Sequence, residues 1–426
     1  MENDVTQAAA EKHHFVDDRA RGTDNLHSGD FLSGQQLAMA GGVGGAVHER
    51  TARAPRPGAP GTGGADSSLP ELIFLKQQGD PTKRLDQING TADKLAQTIM
   101  SANKSIDVAM YHFTLTGDAE KKVVGALNDR VNHGVAVHLD LFNEPNEKDP
   151  SQKAVTMPHG LDPKVGITPI DGGGHLEHNK FMVIDNNTPN ATVWTGSTNW
   201  TDDAFGDQDN NIVILKSPEL AAQYTEYHDQ MENAGKIAGT GKDLHKDVQV
   251  GDSTVTVAFA PGDGNFIEQE LAQHIQDAKA TVHIVSMDLT NKAVLTALAA
   301  KIDGGTVKVD GMYDGAQMKP IASKWAKSQD STMSDLWTKV EPHLVAKTHA
   351  PFPNAMFMHD KFEVVDENLP TAWVETGSFN ISSNAKSNGE NTLAFGNGKM
   401  AQDVAQKYAA YATDLENTYR GGKKAN

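Results

Sequence analysis

From Glu71 onward the chain alternates between two apolar rhythms. Short runs such as Ser105-Ile-Asp-Val-Ala-Met110, Val135-Ala-Val-His-Leu-Asp-Leu141, Phe181-Met-Val-Ile184 and Thr192-Val-Trp-Thr195 are compact and bounded by turn residues, which predicts strands. Between them lie longer stretches with apolar residues every three or four positions, among them the helix-like Pro218 to Ala234. The pattern then starts again. Leu95-Ala-Gln-Thr-Ile-Met-Ser-Ala102 matches Leu271-Ala-Gln-His-Ile-Gln-Asp-Ala278, and each leads into a strand-like run, Ser105–Met110 or Thr281–Ser286. A second helix-to-strand step ends at Val135–Leu141 in one half and at Thr306-Val-Lys-Val-Asp310 in the other. Phe362-Glu-Val-Val365 and Ala372-Trp-Val-Glu-Thr376 repeat the later strands, and a helical Met400–Tyr419 closes the second half. Strands alternating with amphipathic helices predict two α/β halves, each a largely parallel or mixed sheet flanked by helices.

The Gly-rich stretch Gly235 to Lys242 is the expected boundary, giving folded domains over 69–240 and 241–426. Residues 1–68 lack periodicity and carry linker composition at Gly41–Gly45 and Arg53–Gly64, so a flexible Gly/Pro-rich N-terminal arm is expected there.

Duplication extends to chemistry. His178-Asn-Lys180-Phe-Met-Val-Ile-Asp185 returns as His359-Asp-Lys361-Phe-Glu-Val-Val-Asp366, 181 residues later. Each copy is followed by Gly-Ser-x-Asn, at Gly196–Asn199 and Gly377–Asn380, and 13 residues past each glycine comes an acid followed by an amide, Asp209-Asn210 and Glu390-Asn391. Residues two apart on a strand share a face, so imidazole and ammonium emerge side by side in both copies. Two related units packed about a pseudo-twofold bring such residues face to face, and one site is then assembled from both.

A phosphodiester is an anion that resists attack by water. Lys180 and Lys361, with the Ser197 and Ser378 hydroxyls and the Asn199 and Asn380 amides, are expected to neutralise its oxygens. One histidine attacks phosphorus and forms a phosphohistidine; the other protonates the leaving alcohol and then deprotonates water. Asp209 and Glu390 are the expected imidazole partners. The scheme needs no metal and no cofactor, and the chain, which has no cysteine, offers no obvious metal cluster in its sequence.

At these residues the chain resembles the phospholipase D superfamily, whose signature is H-x-K-x4-D followed by G-[SG]-x-N. The resemblance spans about residues 71–420 and implies two phospholipase D-like α/β lobes with a single site between them. It implies His178 and His359 as nucleophile and general acid/base, with His178 the nucleophile. The motif aspartates, Asp185 and Asp366, would support strand and turn rather than touch substrate. The second half is similar to small bacterial endonucleases and mitochondrial cardiolipin hydrolases of the family, while covalent linkage of both halves is phospholipase-like and predicts a monomer.

Substrate is less legible. A net charge of −18 with scattered Lys and Arg lacks the basic stripe of a nonspecific DNA binder, which favours cleavage of phospholipid to phosphatidic acid and an alcohol. A metal-independent endonuclease on DNA or RNA is the alternative, and a noncatalytic scaffold the remote one. Phe181, Met182, Trp200, Phe205, Met356, Phe357 and Met358 surround the motifs and read either as an apolar rim for acyl chains in transient membrane contact or as strand core. His175 reads as an incidental loop residue. No stretch reaches the ~20 apolar residues of a membrane span and no secretory signal is visible, so a cytoplasmic location, or export by a signal-independent route, is expected.

Overall fold

The computed structural model describes residues 69–145, 149, 151–348 and 357–420. The expected N-terminal arm and Met356 lie outside the described residues.

The first half runs β1 (Glu71–Leu75), α1 (Pro81–Met100), β2 (Ser105–Met110), α2 (Gly117–Asn132), β3 (Ala136–Pro145), β4 (Lys180–Ile184), β5 (Thr192–Gly196), β6 (Asn210–Lys216) and α3 (Pro218–Ala234), with short strands between. The second half repeats it as β7 (Ser253–Ala260), α4 (Gly264–Asp277), β8 (Thr281–Ser286), α5 (Lys292–Gly304), β9 (Lys308–Asp314), β10 (Lys361–Val365), β11 (Trp373–Gly377), β12 (Glu390–Gly396) and α6 (Lys399–Arg420). Helix starts follow local chemistry. Asp80 accepts from the Thr82 and Lys83 amides ahead of Pro81, and Ser217 caps α3 ahead of Pro218. Gly235 ends α3 in the left-handed conformation that glycine adopts without strain.

Sheet order is β1-β6-β5-β4-β2-β3 in the first half and β7-β12-β11-β10-β8-β9 in the second. Only β2/β3 and β8/β9 are parallel among these pairs, so the sheets are mixed. Strand alternation splits the apolar side chains between layers. Met182 and Ile184 face the outer core with α1 and α2, whereas Phe181 and Val183 face a central core shared with Val257, Val364 and Leu393 of the second sheet.

Helices α3 and α6 lie in that central core and bind the halves reciprocally. The Tyr227 hydroxyl donates to the Ala260 carbonyl (2.6 Å), and the Tyr411 hydroxyl donates to Leu75 (2.8 Å). Tyr227 stacks on Phe259 and Tyr411 on Phe74, with ring centroids 4.5 and 4.4 Å apart. Each helix therefore reaches β1 or β7 of the opposite half, and the starts of β4 and β10 meet where the sheets adjoin.

Candidate active site

Strands β4 and β10 begin at Lys180 and Lys361, so each histidine sits just before regular pairing starts. Its backbone is pinned by the other half: the His178 amide donates to the Gly389 carbonyl (2.8 Å) and the His359 amide to Asp209 (3.1 Å). The two imidazoles face one another with centroids 6.5 Å apart and planes at 72°. Both are buried, as are the lysines beside them. Lys180 Nζ donates to the His178 carbonyl (2.9 Å), and Lys361 Nζ makes the same bond to His359. The two duplicated His-x-Lys units therefore meet in one site.

The imidazole partners differ between copies. Glu390 takes His178 Nδ1 at 2.9 and 3.0 Å, but His359 Nδ1 lies 2.9 Å from Asn210 Oδ1. The expectation that Asp209 partners a histidine is corrected here. Asp209 turns away to accept from the Gln77 amide (3.2 Å), Gln77 Nε2 (2.9 Å) and the Tyr419 hydroxyl (2.6 Å). The cause is a one-residue difference in the loop ahead of β6. Gly196 pairs with Ile212 while Gly377 pairs with Thr392, so the structural counterpart of Glu390 is Asn210 and that of Asp209 is Gly389. Equal spacing in sequence had concealed the slip.

Electrostatics follow burial. Glu390 is pushed up to about 8, by burial above all, against the pull of Lys180 and the hydrogen bonds from Ser378 and Asn388. His359 is held well below the usual imidazole value, first by burial and then by the charges of Lys361 and Lys180. Its Nε2 is buried with no hydrogen-bond partner. Next to it, Asp360 is pushed up to about 7 by burial and is held by Asn211 Nδ2 and the Tyr411 hydroxyl, each at 2.8 Å.

The Gly-Ser-x-Asn turns divide into two roles. Ser197 Oγ donates to Asn210 Oδ1 (2.8 Å) and Ser378 Oγ to Glu390 Oε2 (2.6 Å), each also accepting the amide of the following asparagine on β6 or β12. A serine hydroxyl has one proton, so these two orient the histidine partners and have none left for a phosphate oxygen. That corrects their expected place among the substrate donors. Asn199 and Asn380 keep carboxamide oxygens without a partner. Gly196 and Gly377 have positive φ and no room for a side chain, since a Cβ would meet the carbonyl of Asn211 or Asn391 at 2.3 or 2.2 Å.

Asp185 and Asp366 lie at the other ends of β4 and β10, both with positive φ. Asp185 accepts the amides of Asn103, Lys104 and Ser105; Asp366 accepts those of Lys279, Ala280 and Thr281. Phe181, Met182, Trp200, Phe205, Phe357 and Met358 are all buried, so among the described residues this set is core and not an exposed rim. His175 is exposed in its loop.

Sequence reasoning missed Tyr111, whose ring packs edge-on against His178 (5.0 Å) and lies 5.1 Å from Lys180 Nζ. It also missed Asn211 and Asn391, which cross between halves: Asn391 Nδ2 donates to Thr195 Oγ1 (2.7 Å), while Asn211 Oδ1 accepts from Thr376 (3.0 Å) and Tyr408 (2.9 Å). The repeat showed Asn391 as the amide after Glu390 but set Asn210, not Asn211, after Asp209, and the role of each depends on which strand lies opposite.

The sequence pattern described as the phospholipase D-like domain of cardiolipin synthase matches residues 95–232 and 271–412, one match per His-x-Lys unit. A mitochondrial cardiolipin hydrolase from Chlamydomonas reinhardtii is 28% identical over 131 residues, covering 31% of this chain and 52% of that protein. The chain thus spans about half the length of this curated relative. Among solved structures, phosphatidylserine synthase from Haemophilus influenzae Rd KW20 shares the fold, with a TM-score of 0.54 at 12% identity over 82% of this chain and 88% of that one. Nuc, a phospholipase D family member from Salmonella typhimurium, aligns at 22% identity over 39% of this chain and 95% of its own, with a TM-score of 0.30.

Proposed function

The chain belongs to the phospholipase D-like domain family, and from that premise we propose that it hydrolyses phospholipid to phosphatidic acid and an alcohol through a phosphohistidine. The observation that carries the reading is the pair of facing imidazoles with unlike partners, His178 on Glu390 and His359 on Asn210. His178 Nε2 attacks phosphorus, forming the P–N bond as the P–O bond to the alcohol breaks. The phosphohistidine ring is cationic, and the Glu390 carboxyl on Nδ1 stabilises it more than an amide can. His359 Nε2 gives its proton to the departing oxygen. Water then attacks phosphorus, loses its proton to His359 and releases His178.

Lys180 and Lys361, with the carboxamides of Asn199 and Asn380, neutralise the non-bridging oxygens. A bound phosphate anion also raises the affinity of His359 for its proton, offsetting the buried lysines. Phospholipid is favoured over nucleic acid by the −18 net charge and by the name of the cardiolipin hydrolase relative.

The test is one assay series at 25 °C with EDTA present, using phosphatidylcholine vesicles, cardiolipin vesicles, and single- and double-stranded DNA and RNA. Headgroup release or phosphatidic acid production is the expected result. Nicking of nucleic acid without lipid turnover overturns the substrate assignment, and headgroup exchange with added alcohol but no net hydrolysis overturns the reaction assigned.

A further inference from the structure

A second cluster of ligating side chains lies in the first half, apart from the catalytic residues. His228, Asp229 and Glu232 on α3 present one ligand atom each, all within 4.8 Å of one another. Donors at about 2.0–2.2 Å from one ion are at most about 4.4 Å apart, so small rotations of the two partly exposed carboxylates close the set. The sheet beneath adds more acid. Asp140 of β3 is wholly buried, with Oδ2 3.7 Å from His228 Nε2, and neither of its oxygens has a hydrogen-bond partner. Asp107 of β2 is also wholly buried, and His138 Nδ1 lies 3.8 Å from both Asp107 and Glu232.

The tautomer of His228 is set for ligation. Nε2 donates to the Val108 carbonyl (3.2 Å), which leaves the lone pair on Nδ1. Nδ1 is buried, has no hydrogen-bond partner and sits 4.0 Å from Asp229 Oδ1.

The duplication supplies an internal control. Strand register makes Met312 the counterpart of Asp140, and the matched tyrosines of α3 and α6 make Ala412 the counterpart of His228. Met312 and Ala412 are ordinary members of the apolar core. The counterparts of Asp107 and His138 are His283 and Asp310, which hydrogen-bond directly and are joined by Lys308. By the same match Glu416 is the counterpart of Glu232, so the fold dispenses only with Asp140 and His228, and those two groups are particular to the first half.

We propose that His228 Nδ1, Asp229 and Glu232, backed by Asp140 and Asp107, bind one divalent cation of the zinc or manganese class that ties α3 to β2 and β3. Mixed imidazole and carboxylate donors suit these ions better than magnesium. The ion neutralises buried acid and is structural, with no ligand drawn from the His178 and His359 pair.

The full chain, stripped with EDTA and dialysed, is titrated calorimetrically with ZnCl2 and with MnCl2, and its Tm is followed at each concentration. One ion per chain is expected, with a Tm rise of about 5 °C or more once free ion exceeds Kd a hundredfold. The rise disappears in His228→Ala, which copies Ala412, and in Glu232→Gln, a partly exposed site where folding is preserved. It persists in His178→Ala, which separates this site from adventitious binding to the catalytic imidazoles. Absence of a Tm rise with either ion, or a rise that survives both His228→Ala and Glu232→Gln, overturns the proposal.

Discussion

Asn210 Oδ1 lies 2.9 Å from His359 Nδ1, in the place that Glu390 occupies beside His178. One imidazole thus has an ionisable partner and the other a neutral one, although the lysine and the serine beside each are duplicated. Because His359 is held below its usual value and must be protonated to expel the alcohol, the alkaline limb of kcat/KM should fall below about pH 6.5. Asn210→Asp places a carboxylate on Nδ1, favours the imidazolium and should move that limb upward by about one pH unit or more. A pH–rate profile that is the same in both proteins would remove His359 from the acid role.

The two histidines should differ in what they leave behind. His178→Ala is expected to abolish the covalent phosphoenzyme and lower turnover by about a thousandfold or more. His359→Ala is expected to lose about 10²–10⁴-fold on alkyl esters, yet to release p-nitrophenol from a p-nitrophenyl phosphodiester in a fast single-turnover burst, because that leaving group needs no proton and only the later attack of water needs the base. Mass spectrometry after an alkaline denaturing quench, in which the acid-labile P–N bond survives, locates the adduct, and a label found on His359 reverses the assignment.

A buried acid pair lies in the second half, where Glu363 of β10 faces Glu375 of β11 and both are raised well above ordinary carboxyls, chiefly by burial. Glu270 beside them is pushed up to about 7, also by burial. The first half has Met182 opposite Trp194 at the same register. Groups with raised folded values add stability below the unfolded carboxyl range near ~4.3 and lose it as pH climbs through the folded values. Glu363→Gln should therefore raise Tm by about 2 °C or more at pH 8 and change it little at pH 5. An equal shift at both pH values would mean that packing, not ionisation, governs the site.

Asp185 and Asp366 each gather three backbone amides into one carboxylate. Asp366→Ala leaves those amides unpaired and should cost about 2–4 kcal/mol in urea unfolding. Turnover per folded molecule should hold within about threefold at 25 °C. A large loss of kcat in the folded variant would place this residue in the chemistry instead.

Much of this was written in the chain itself. The two-period apolar pattern fixed the alternation of helices and strands, because side-chain burial follows backbone geometry locally. The repeated His-x-Lys-x4-Asp picked out the two His-Lys pairs that meet in the candidate site, since residues i and i+2 on one strand need no distant information to share a face. Asp209 shows where that legibility stopped. A count of 31 residues from each histidine pointed to it, but an extra loop residue moved Asn210 into the pairing position. The serines changed role for the same reason, because the nearest acceptor was set by the adjoining strand. Likewise Asp140, His228 and Glu232 are unremarkable along the sequence and meet only because α3 packs across β2 and β3. Periodicity determined the two lobes, and the repeated motif the four side chains proposed for catalysis. Hydrogen-bond partners, shared cores and the cluster around His228 depend on which distant strands and helices come into contact, and packing alone decided those.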